Sequence, residues 1–434
     1  MKPSIIEESL IESIQESDVS KLADLPAWMQ DLREKGIEYY QKQGLPSTHD
    51  EDWRYTNLQP LSQIKFRLSE STHVKSEHRI DPYRIPGALE LVMVNGHFVA
   101  DYSRLNQLPK ELTVTTLDSI SKGNSESIQS LLSQKEPCNS LQALNWAFLQ
   151  QGIFIHLQKP LTQEVLVHLI YLNGQERESI VSFPRNIILL EQHTQLTVVE
   201  SHIGIGESEC LNNGFTEIAL RAGAQLTYCK IQQENLQSYH VHQARVQLER
   251  DSRVHTFSFS VGGKLTRNNL NITFQGESAE AVLNGFYYAR QNQLIDNHTL
   301  VEHLHPNCHS NQLYKGILRD RGRGVFNGKI YVHPRAQKTD AYQLNKTLLL
   351  SSESQIDTKP QLEIFADDVK CTHGATIGQI DPDELFYLES RAIPKHQAIN
   401  MLSRGFANHV ILQVKQMKIQ TYLNALLDHV LFRS

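Results

Sequence analysis

Two residues near the carboxyl terminus, Cys371 and His373, have the types and the spacing of metal ligands. The segment around them is rich in β-forming residues and is interrupted by an acidic pair at 367–368, so it predicts a strand, a short turn and a second strand. Side chains alternate along a strand, so Cys371 and His373 should share one face, with Cα atoms about 6.6 Å apart. A thiolate and an imidazole at that spacing can both reach one ion or one small cluster.

The same pair also has a purely structural interpretation. Cysteine is among the most often buried residue types, and a cysteine close to a histidine more often packs than binds a metal. Two ligands also cannot complete a four-coordinate site. If Cys371 and His373 bind a metal or a cluster, the other ligands must come from elsewhere in the fold or from a second subunit.

A histidine-rich segment holds the densest group of soft ligands in the chain. His303, His305, Cys308 and His309 lie within seven positions and could together hold zinc or iron. Their spacing matches no standard zinc motif, and Pro306 bends the backbone between them. A polar loop with surface histidines is the alternative, and the sequence leaves both interpretations open.

Motifs of common enzymes do not occur in the sequence. The arginine-rich turn 319–328 lacks the Lys-Ser/Thr of a phosphate-binding loop, and the chain has no Gly-x-Ser-x-Gly element. The acidic pair at 367–368 diverges, which does not suit a two-carboxylate hydrolase. His242, His255 and His298 stand alone on predicted strands, where a structural role is usual. We cannot assemble a Ser-His-Asp or Cys-His catalytic set from these spacings.

The composition is that of an ordinary cytoplasmic protein. The chain has 434 residues, 40% of them hydrophobic, and a net charge of −6, which argues against a nucleic-acid partner. No apolar run approaches the roughly 18 residues that span a membrane, and the amino terminus has acidic residues where a signal peptide needs an apolar core. The five cysteines include no Cys-x-x-Cys pair, which is typical of reduced thiols in the cytoplasm.

Residues 1–150 are predicted to form a helical region with a bridge into the next part of the chain. Helical spacing of apolar residues predicts a first helix near the amino terminus and a second one over about 26–40. Asn95-Gly96 predicts a β-hairpin, and a polar helix is expected within 117–150. The apolar faces of the first and last helices are Ile5, Ile6, Leu10, Ile11 and Ile14, and Leu131, Leu132, Leu141, Leu144 and Phe148.

Residues 151–380 are predicted to be a β-domain with an internal repeat. Short β-rich runs alternate with polar turns, and an apolar residue recurs six positions after another at intervals of roughly 28 to 30 residues. A β-helix of stacked strand–turn units is the first interpretation, and a β-sandwich or jelly roll is the alternative. The repeats that show this spacing are 190–196, 220–226, 248–254 and 350–356, with 318–325 as a longer version.

Residues 381–434 are predicted to be helical again. Asp381 and Pro382 form a favourable helix start, with an acidic residue as the cap and proline at the first position. A second helix should start at Pro394, and a last amphipathic helix should follow. Such helices could simply cover the end of a β-helix.

Several ordered segments carry a resemblance to a known family. The runs 357–364, 366–378 and 386–393, together with an amino-terminal segment around Trp53, resemble the SufD branch of the SufB/SufD family of iron–sulfur cluster assembly proteins. Gly374 follows His373 where the SufB branch is expected to have a carboxylate, which favours the SufD branch.

The resemblance implies a mainly β fold, with a right-handed parallel β-helix core flanked by amino-terminal and carboxyl-terminal helical regions. It implies a scaffold that pairs with SufB and docks the SufC ATPase through its carboxyl-terminal helices, while a cysteine desulfurase system supplies sulfur. An iron–sulfur cluster or iron would be held transiently at the subunit interface, with His373 as the first candidate ligand and Cys371 as the second. We expect no tightly bound cofactor in the isolated chain, which could form a homodimer without its partner.

Two other functions remain open at this stage. One is a stand-alone β-helix metalloprotein that uses the group from His303 to His309. The other is a polysaccharide-binding or polysaccharide-cleaving β-helix, which usually needs a secretion signal.

Overall fold

The chain forms a parallel β-solenoid of about 8 turns with helices towards both ends, and 46% of the described residues are in strands. We describe residues 27–69, 80–119, 137–149, 152–174 and 178–432 of a computed structural model. The predicted parallel β-helix architecture is confirmed, and the β-sandwich alternative is wrong, because successive strands stack in parallel on the strand two elements earlier.

Two sheets run along the length of the solenoid. From the eighth strand onward, even-numbered strands lie in one sheet and odd-numbered strands in the other, so each turn of the chain adds one strand to each sheet. The strands are β1 (Arg67–Leu68), β2 (Leu89–Val94), β3 (His97–Phe98), β4 (Leu112–Thr116), β5 (Ile153–Leu157), β6 (Leu166–Gly174), β7 (Ile180–Ser182), β8 (Arg185–Leu190), β9 (Gln195–Ile205), β10 (Cys210–Leu220), β11 (Gln225–Glu234), β12 (Tyr239–Leu248), β13 (Arg253–Gly262), β14 (Leu265–Phe274), β15 (Glu280–Ala289), β16 (Leu294–His303), β17 (His309–Leu318), β18 (Arg323–Val332), β19 (Asp340–Leu349), β20 (Gln355–Ile364) and β21 (Lys370–Gly378).

Stacked apolar side chains fill much of the interior. Val246, Ile272, Val301 and Ile330 are register partners on four successive strands of one sheet, and all are buried. β-branched side chains suit such stacks because their restricted rotamers match the extended backbone. Burying each one contributes about 1.5 to 3 kcal/mol.

The sequence repeat corresponds to the turns of the solenoid. His193, Gly223 and Asp251 occupy the same place in three successive turns, and all three have a positive φ. The backbone N–H of His193 donates to the carbonyl of Ala222, and that of Gly223 to Arg250, so the turns stack as the strands do. The repeats 318–325 and 350–356 differ, because they connect β17 to β18 and β19 to β20 on the opposite side of the solenoid.

The amino-terminal region packs on the start and the side of the solenoid. Two helices, α1 (Ala27–Gln43) and α2 (Ser140–Ala147), contact each other there, which confirms helices in both predicted places. The Asn95-Gly96 hairpin is also confirmed, since β2 and β3 are antiparallel and both turn residues have a positive φ. Short 3₁₀ turns cover Glu51–Trp53, Gln59–Gln63, Asp81–Tyr83, Ala100–Tyr102 and Leu117–Ser119.

The predicted boundary at residue 150 stays a prediction of domain organisation. Strands β2 and β4 lie before it but extend the two sheets of the solenoid. The predicted apolar face of the first helix, together with Leu131 and Leu132, lies outside the described residues.

Three carboxyl-terminal helices follow the last strand: α3 (Pro382–Ser390), α4 (Lys395–Ile411) and α5 (Met417–Phe432). The predicted cap is confirmed, because Asp381 Oδ1 accepts a 2.8 Å hydrogen bond from the backbone N–H of Asp383. Helices α4 and α5 bury apolar side chains against the sheet that contains β11 and β13, in a cluster that includes Ile231 and Phe257. In the described part of the chain, every helix is too short or too polar to cross a membrane.

Candidate functional site

The solenoid ends in an open edge at β20 and β21. These strands are the last members of their two sheets, and within the described residues each has a strand partner on one side only. Their side chains are partly or fully exposed along their whole length, whereas those of the earlier strands are mostly buried. The last turn therefore presents side chains of the solenoid interior to its surroundings.

Cys371 and His373 lie on β21 at this open end. Cys371 is the register partner of Ala341, and His373 is the register partner of Gln343. Both partners are buried in the solenoid interior, so Cys371 and His373 share the interior-facing side of the last strand. Cys371 is half-buried against the apolar core, and His373 is exposed. The predicted turn between two strands and the shared face are both present.

A row of polar side chains lies beneath His373. Gln343 Nε2 donates to Gln312 Oε1 at 3.1 Å, and Gln312 Nε2 donates to Thr299 Oγ1 at 2.8 Å. The Oε1 atom of Gln343 has no hydrogen-bond partner within the described ranges. The histidine thus caps a polar stack rather than an apolar one, which suits a group that binds a polar or charged species.

The Cys371 thiol is held in its protonated form. Burial raises its pKa above the ordinary value, and the negative charge of Asp340 raises it further, against a smaller effect of a backbone hydrogen bond at Ala341. A thiol becomes a metal ligand by losing its proton, so a metal ion must compete for that proton. Among the described residues no other histidine, cysteine or carboxylate joins Cys371 and His373 in a group of three ligands.

Exposed apolar side chains surround the open end. Large apolar groups are rarely left exposed in a contiguous patch unless the surface contacts a partner. The exposed side chains on the last three strands and the loop that follows β20 are Tyr342 (43%), Ile364 (38%), Phe365 (56%) and Ile377 (48%).

The second predicted ligand group does not assemble. His303 is buried, stacks on Phe274 with ring centroids 4.4 Å apart and contacts Ser310 Oγ at 3.0 Å. Cys308 is buried too, and its Sγ donates to a backbone carbonyl. The side chain of His309 is 60% exposed at the start of the next strand. Because burial also lowers the pKa of His303 to about 3, it has the role of a core histidine.

The three histidines that were predicted to be isolated, His242, His255 and His298, all bond to other side chains. His255 accepts a hydrogen bond from Asn284 Nδ2 at 3.2 Å, and His298 Nε2 lies 3.0 Å from Asp296 Oδ1. The prediction that His242 is isolated is wrong. Folding brings it to side chains from a strand 40 residues earlier in the sequence, which no local pattern around His242 contains.

The missed group consists of Glu200, His202 and His242, all fully buried inside the solenoid. Their ligand atoms lie within 4.8 Å of one another, and no other such group of three or more occurs in the described part of the chain. The available signal was the spacing Glu-x-His at 200–202 and His-x-His at 240–242, because residues two apart on a strand share a face.

Comparisons with known proteins agree with this architecture. The family described as "SUF system FeS cluster assembly, SufBD core domain" matches residues 171–406, and the SufBD amino-terminal region matches residues 5–169. The chain is 30% identical to the iron–sulfur cluster assembly protein SufD of Escherichia coli over 84% of each chain. It is 29% identical to a SufBD family protein of Synechocystis over 97% of each chain. A SufBD family protein of Staphylococcus epidermidis is 25% identical over 92% of this chain and 88% of the relative. The protein therefore belongs to the SufBD family of the SUF iron–sulfur cluster assembly system.

Proposed function

We propose that this chain is a non-catalytic scaffold subunit that pairs with a SufB-type subunit in the cytoplasm and holds a nascent iron–sulfur cluster between them. The observation that carries the proposal is the open end of the solenoid, where His373 is exposed on the interior-facing side of an edge strand. An imidazole in this position is a ligand without a complete site, and a second subunit can supply the missing ligands.

The edges of β20 and β21 support pairing through the solenoid ends. A strand at the edge of a sheet has unpaired N–H and C=O groups that can continue the ladder with another chain. Pro360 lies within β20 and lacks an N–H group, so pairing along that strand is interrupted there. The exposed Phe365 and Ile377 add apolar area at the same end. The same surfaces could join two copies of this chain when the SufB-type partner is missing.

The cluster or iron is cargo of the complex rather than a resident cofactor. His373 would donate an imidazole nitrogen to it, and Cys371 would be a weaker second ligand because its thiol is half-buried and protonated. With only these two candidate ligands, the isolated chain should release iron or a cluster readily. Sulfur would reach the interface from a cysteine desulfurase system.

The carboxyl-terminal helices supply the surface that we assign to a SufC-type ATPase. Helix α3 buries none of its side chains completely, and Phe386 and Tyr387 on it are 72% and 57% exposed. Helices α4 and α5 are anchored to the solenoid by apolar contacts, so a load on α3 can be transmitted to the sheets. ATP binding and hydrolysis by the docked subunit would then change the arrangement of the two scaffolds.

Replacing the candidate ligand tests the proposed cluster site. The variant His373→Ala is combined with SufB-type and SufC-type subunits, and complex formation and cluster content are measured separately by size-exclusion chromatography and by iron and sulfide analysis. We expect a normal complex with little or no assembled cluster. His309→Ala is the matched control, because it removes another exposed imidazole from the same sheet. Normal cluster assembly in the His373→Ala complex would overturn the assignment.

Replacing the exposed aromatic pair tests the docking surface. The double variant Phe386→Ala and Tyr387→Ala should lose binding of the SufC-type ATPase while still pairing with the SufB-type subunit. Met417→Ala is the control, since Met417 is 71% exposed but begins a different helix. Unchanged ATPase binding in the double variant would move the docking surface elsewhere on the chain.

A further inference from the structure

A buried group of Glu200, His202 and His242 lies inside the solenoid, far along the chain from the open end. Glu200 and His202 are two residues apart on β9, and His242 lies on β12 in the opposite sheet. All three are fully buried. Residues two apart on a strand share a face, so Glu200 and His202 point together towards the interior, where they meet His242.

Two imidazole nitrogens converge on one carboxylate oxygen. His202 Nε2 lies 2.8 Å and His242 Nε2 lies 3.0 Å from the same atom, Glu200 Oε1. Three ligands bound at about 2.05 Å and at right angles to one another would be roughly 2.9 Å apart, whereas tetrahedral ligands would be roughly 3.3 Å apart. The two nitrogen–oxygen distances fit neighbouring ligands of one metal ion, and all three ligand atoms lie within 4.8 Å of one another, as in a two-histidine, one-carboxylate site.

The charges at the site also suit a cation. Burial lowers the pKa of His202, and lowers that of His242 to about 4, so both rings are neutral at pH 7. Each ring donates its Nε2 proton to Glu200, and Nε2 would bind a metal once that proton has moved to Nδ1. Burial alone would raise the pKa of Glu200, but its contacts with His242 and His202 hold it well below the ordinary value. Among the described residues no lysine or arginine lies within 4.0 Å of this carboxylate. A buried carboxylate without a fixed cationic partner is costly unless a cation or several donors compensate it.

Lys230 is a competing cation in the interior. It is the register partner of Glu200 on the next strand of the same sheet, and its ammonium group is hydrogen-bonded to Asn268. Burial lowers the pKa of Lys230 to about 7, so this side chain can become neutral when another cation enters the interior.

A second set of side chains would orient the ligands. The second carboxylate oxygen of Glu200 accepts hydrogen bonds from Tyr228 Oη at 2.6 Å and Thr216 Oγ1 at 2.9 Å. Asn212 Nδ2 lies 3.0 Å from His202 Nδ1, and rotating this amide would let its oxygen accept the ring proton that a metal-bound histidine carries there.

Unused polar atoms beside the group point to a missing ligand. The Oδ1 atom of Asn212 and the Nε2 atom of His240 have no hydrogen-bond partner among the residues described. His240 is fully buried, and its ring centroid is 4.8 Å from that of His202. Buried polar atoms in folded proteins almost always have a partner, either a protein group or ordered water, so a bound ion with its water ligands would account for both atoms.

We propose that Glu200, His202 and His242 bind one divalent first-row transition metal ion. The site is separate from the cluster cargo at His373 and does not depend on a partner subunit. Its metal would be a resident structural ion, because all three ligands are fully buried.

Metal binding by the full-length chain tests the proposal. The protein is stripped with a chelator and then loaded with Co²⁺, Fe²⁺ or Zn²⁺, both as the folded chain and during refolding from urea, since a closed site can be filled more easily before the solenoid closes. Bound metal is counted after gel filtration, and visible absorption of the Co²⁺ form distinguishes imidazole and carboxylate ligands from a thiolate. We expect about one ion per chain without a thiolate signal and a raised thermal midpoint.

Variants assign that ion to the buried group. Glu200→Gln and His242→Gln should each weaken metal binding at least about tenfold, since even second-sphere changes cost that much. His168→Gln is the matched control, because His168 is fully buried but bonds to Ser201 outside the group. Thermal midpoints of the metal-free variants show whether each one folds. If only one of the two ligand variants folds, its metal binding is sufficient for the test.

The outcomes separate this proposal from the proposed scaffold role. His373→Ala should keep the buried ion and lose cluster assembly. Glu200→Gln should lose the buried ion and keep cluster assembly, provided that the variant still pairs with its partner. If folded or refolded wild-type chain binds no ion at micromolar free metal, or if bound metal survives both ligand substitutions, the buried site does not exist.

Discussion

The solenoid holds two histidine groups under opposite conditions. In the interior group, Glu200, His202 and His242 are fully buried, and each makes hydrogen bonds within the chain. In the terminal pair, His373 is exposed and Cys371 is half-buried, with no third ligand from the described chain. The residue types are similar in both places. What differs is that an interior turn has a neighbouring turn on each side, whereas the last turn has one on a single side only.

This difference explains why one group can be a closed site and the other must be shared. An interior strand receives side chains from both neighbouring strands and from the opposite sheet, so the chain itself supplies all three candidate ligands of the interior group. A terminal strand has a neighbouring strand on one side only, so its other edge can contact another molecule. The comparison predicts that changes in the interior group affect stability strongly, and that changes at the open end affect assembly but not stability.

The largest expected effect is that of removing the interior carboxylate. Glu200→Ala deprives His202, His242, Tyr228 and Thr216 of a shared acceptor, and breaking a buried network of this kind costs about 3 to 5 kcal/mol. The free energy of unfolding should fall by this amount in urea denaturation followed by circular dichroism. A loss below about 1 kcal/mol would mean that the interior group is not a tightly packed network.

A pair of glycines compares the crowding in the two regions. A Cβ at Gly316 would lie 2.1 Å from the ring of Tyr287, which passes over this position to contact Thr347, whereas a Cβ at Gly378 would meet no atom within 4 Å. Gly316→Ala should therefore cost about 1 to 3 kcal/mol. Gly378→Ala, the matched control on the last strand, should leave the thermal midpoint unchanged. Equal midpoints for both variants would contradict the contrast between a crowded interior and an open end.

The pH dependence of stability should come from the interior group. The pKa of His242 in the folded chain is about 4, below its ordinary value of 6.5, so the unfolded chain takes up protons first. Its contribution to stability is present above pH 6.5 and is lost as the pH falls towards 4, by up to about 1.4 kcal/mol per pH unit.

Comparing wild type with His242→Gln isolates this contribution. Other buried groups titrate as well: burial raises the pKa of Glu234 to about 7, which has the opposite effect on stability as the pH falls. Urea unfolding of both proteins at pH 7, 6 and 5 should show a steeper loss of stability in the wild type. Parallel pH profiles would indicate that His242 is protonated as readily in the folded chain as in the unfolded one.

The smallest effect on stability is expected at the open end. His373→Ala and Cys371→Ser should each change the free energy of unfolding by less than about 0.5 kcal/mol, because exposed and half-buried polar side chains away from tight packing contribute little. Urea denaturation of the isolated chain measures this. A loss of several kcal/mol in His373→Ala would mean that the ring stabilises the last turn, and its effect on cluster assembly would then be structural.

Local patterns in the sequence determined the fold class and the terminal pair. The recurring apolar residues around the turns at 190–196 and 220–226 predicted stacked units, because each turn of a solenoid repeats the same local constraints. The alternation of side chains placed Cys371 and His373 on one face, because they are close neighbours on a single strand. The resemblance to a known family favoured a β-helix over a β-sandwich, which the repeat alone left open.

Only the tertiary structure decided which histidines meet. His242 joins Glu200 and His202 because strands of opposite sheets face each other across the interior, and this contact depends on the register of every turn between them. His303 and Cys308, close in sequence, are separated because a turn directs them to different neighbours. Spacing along one strand is fixed by backbone geometry, whereas spacing across the solenoid is fixed by the packing of the whole domain.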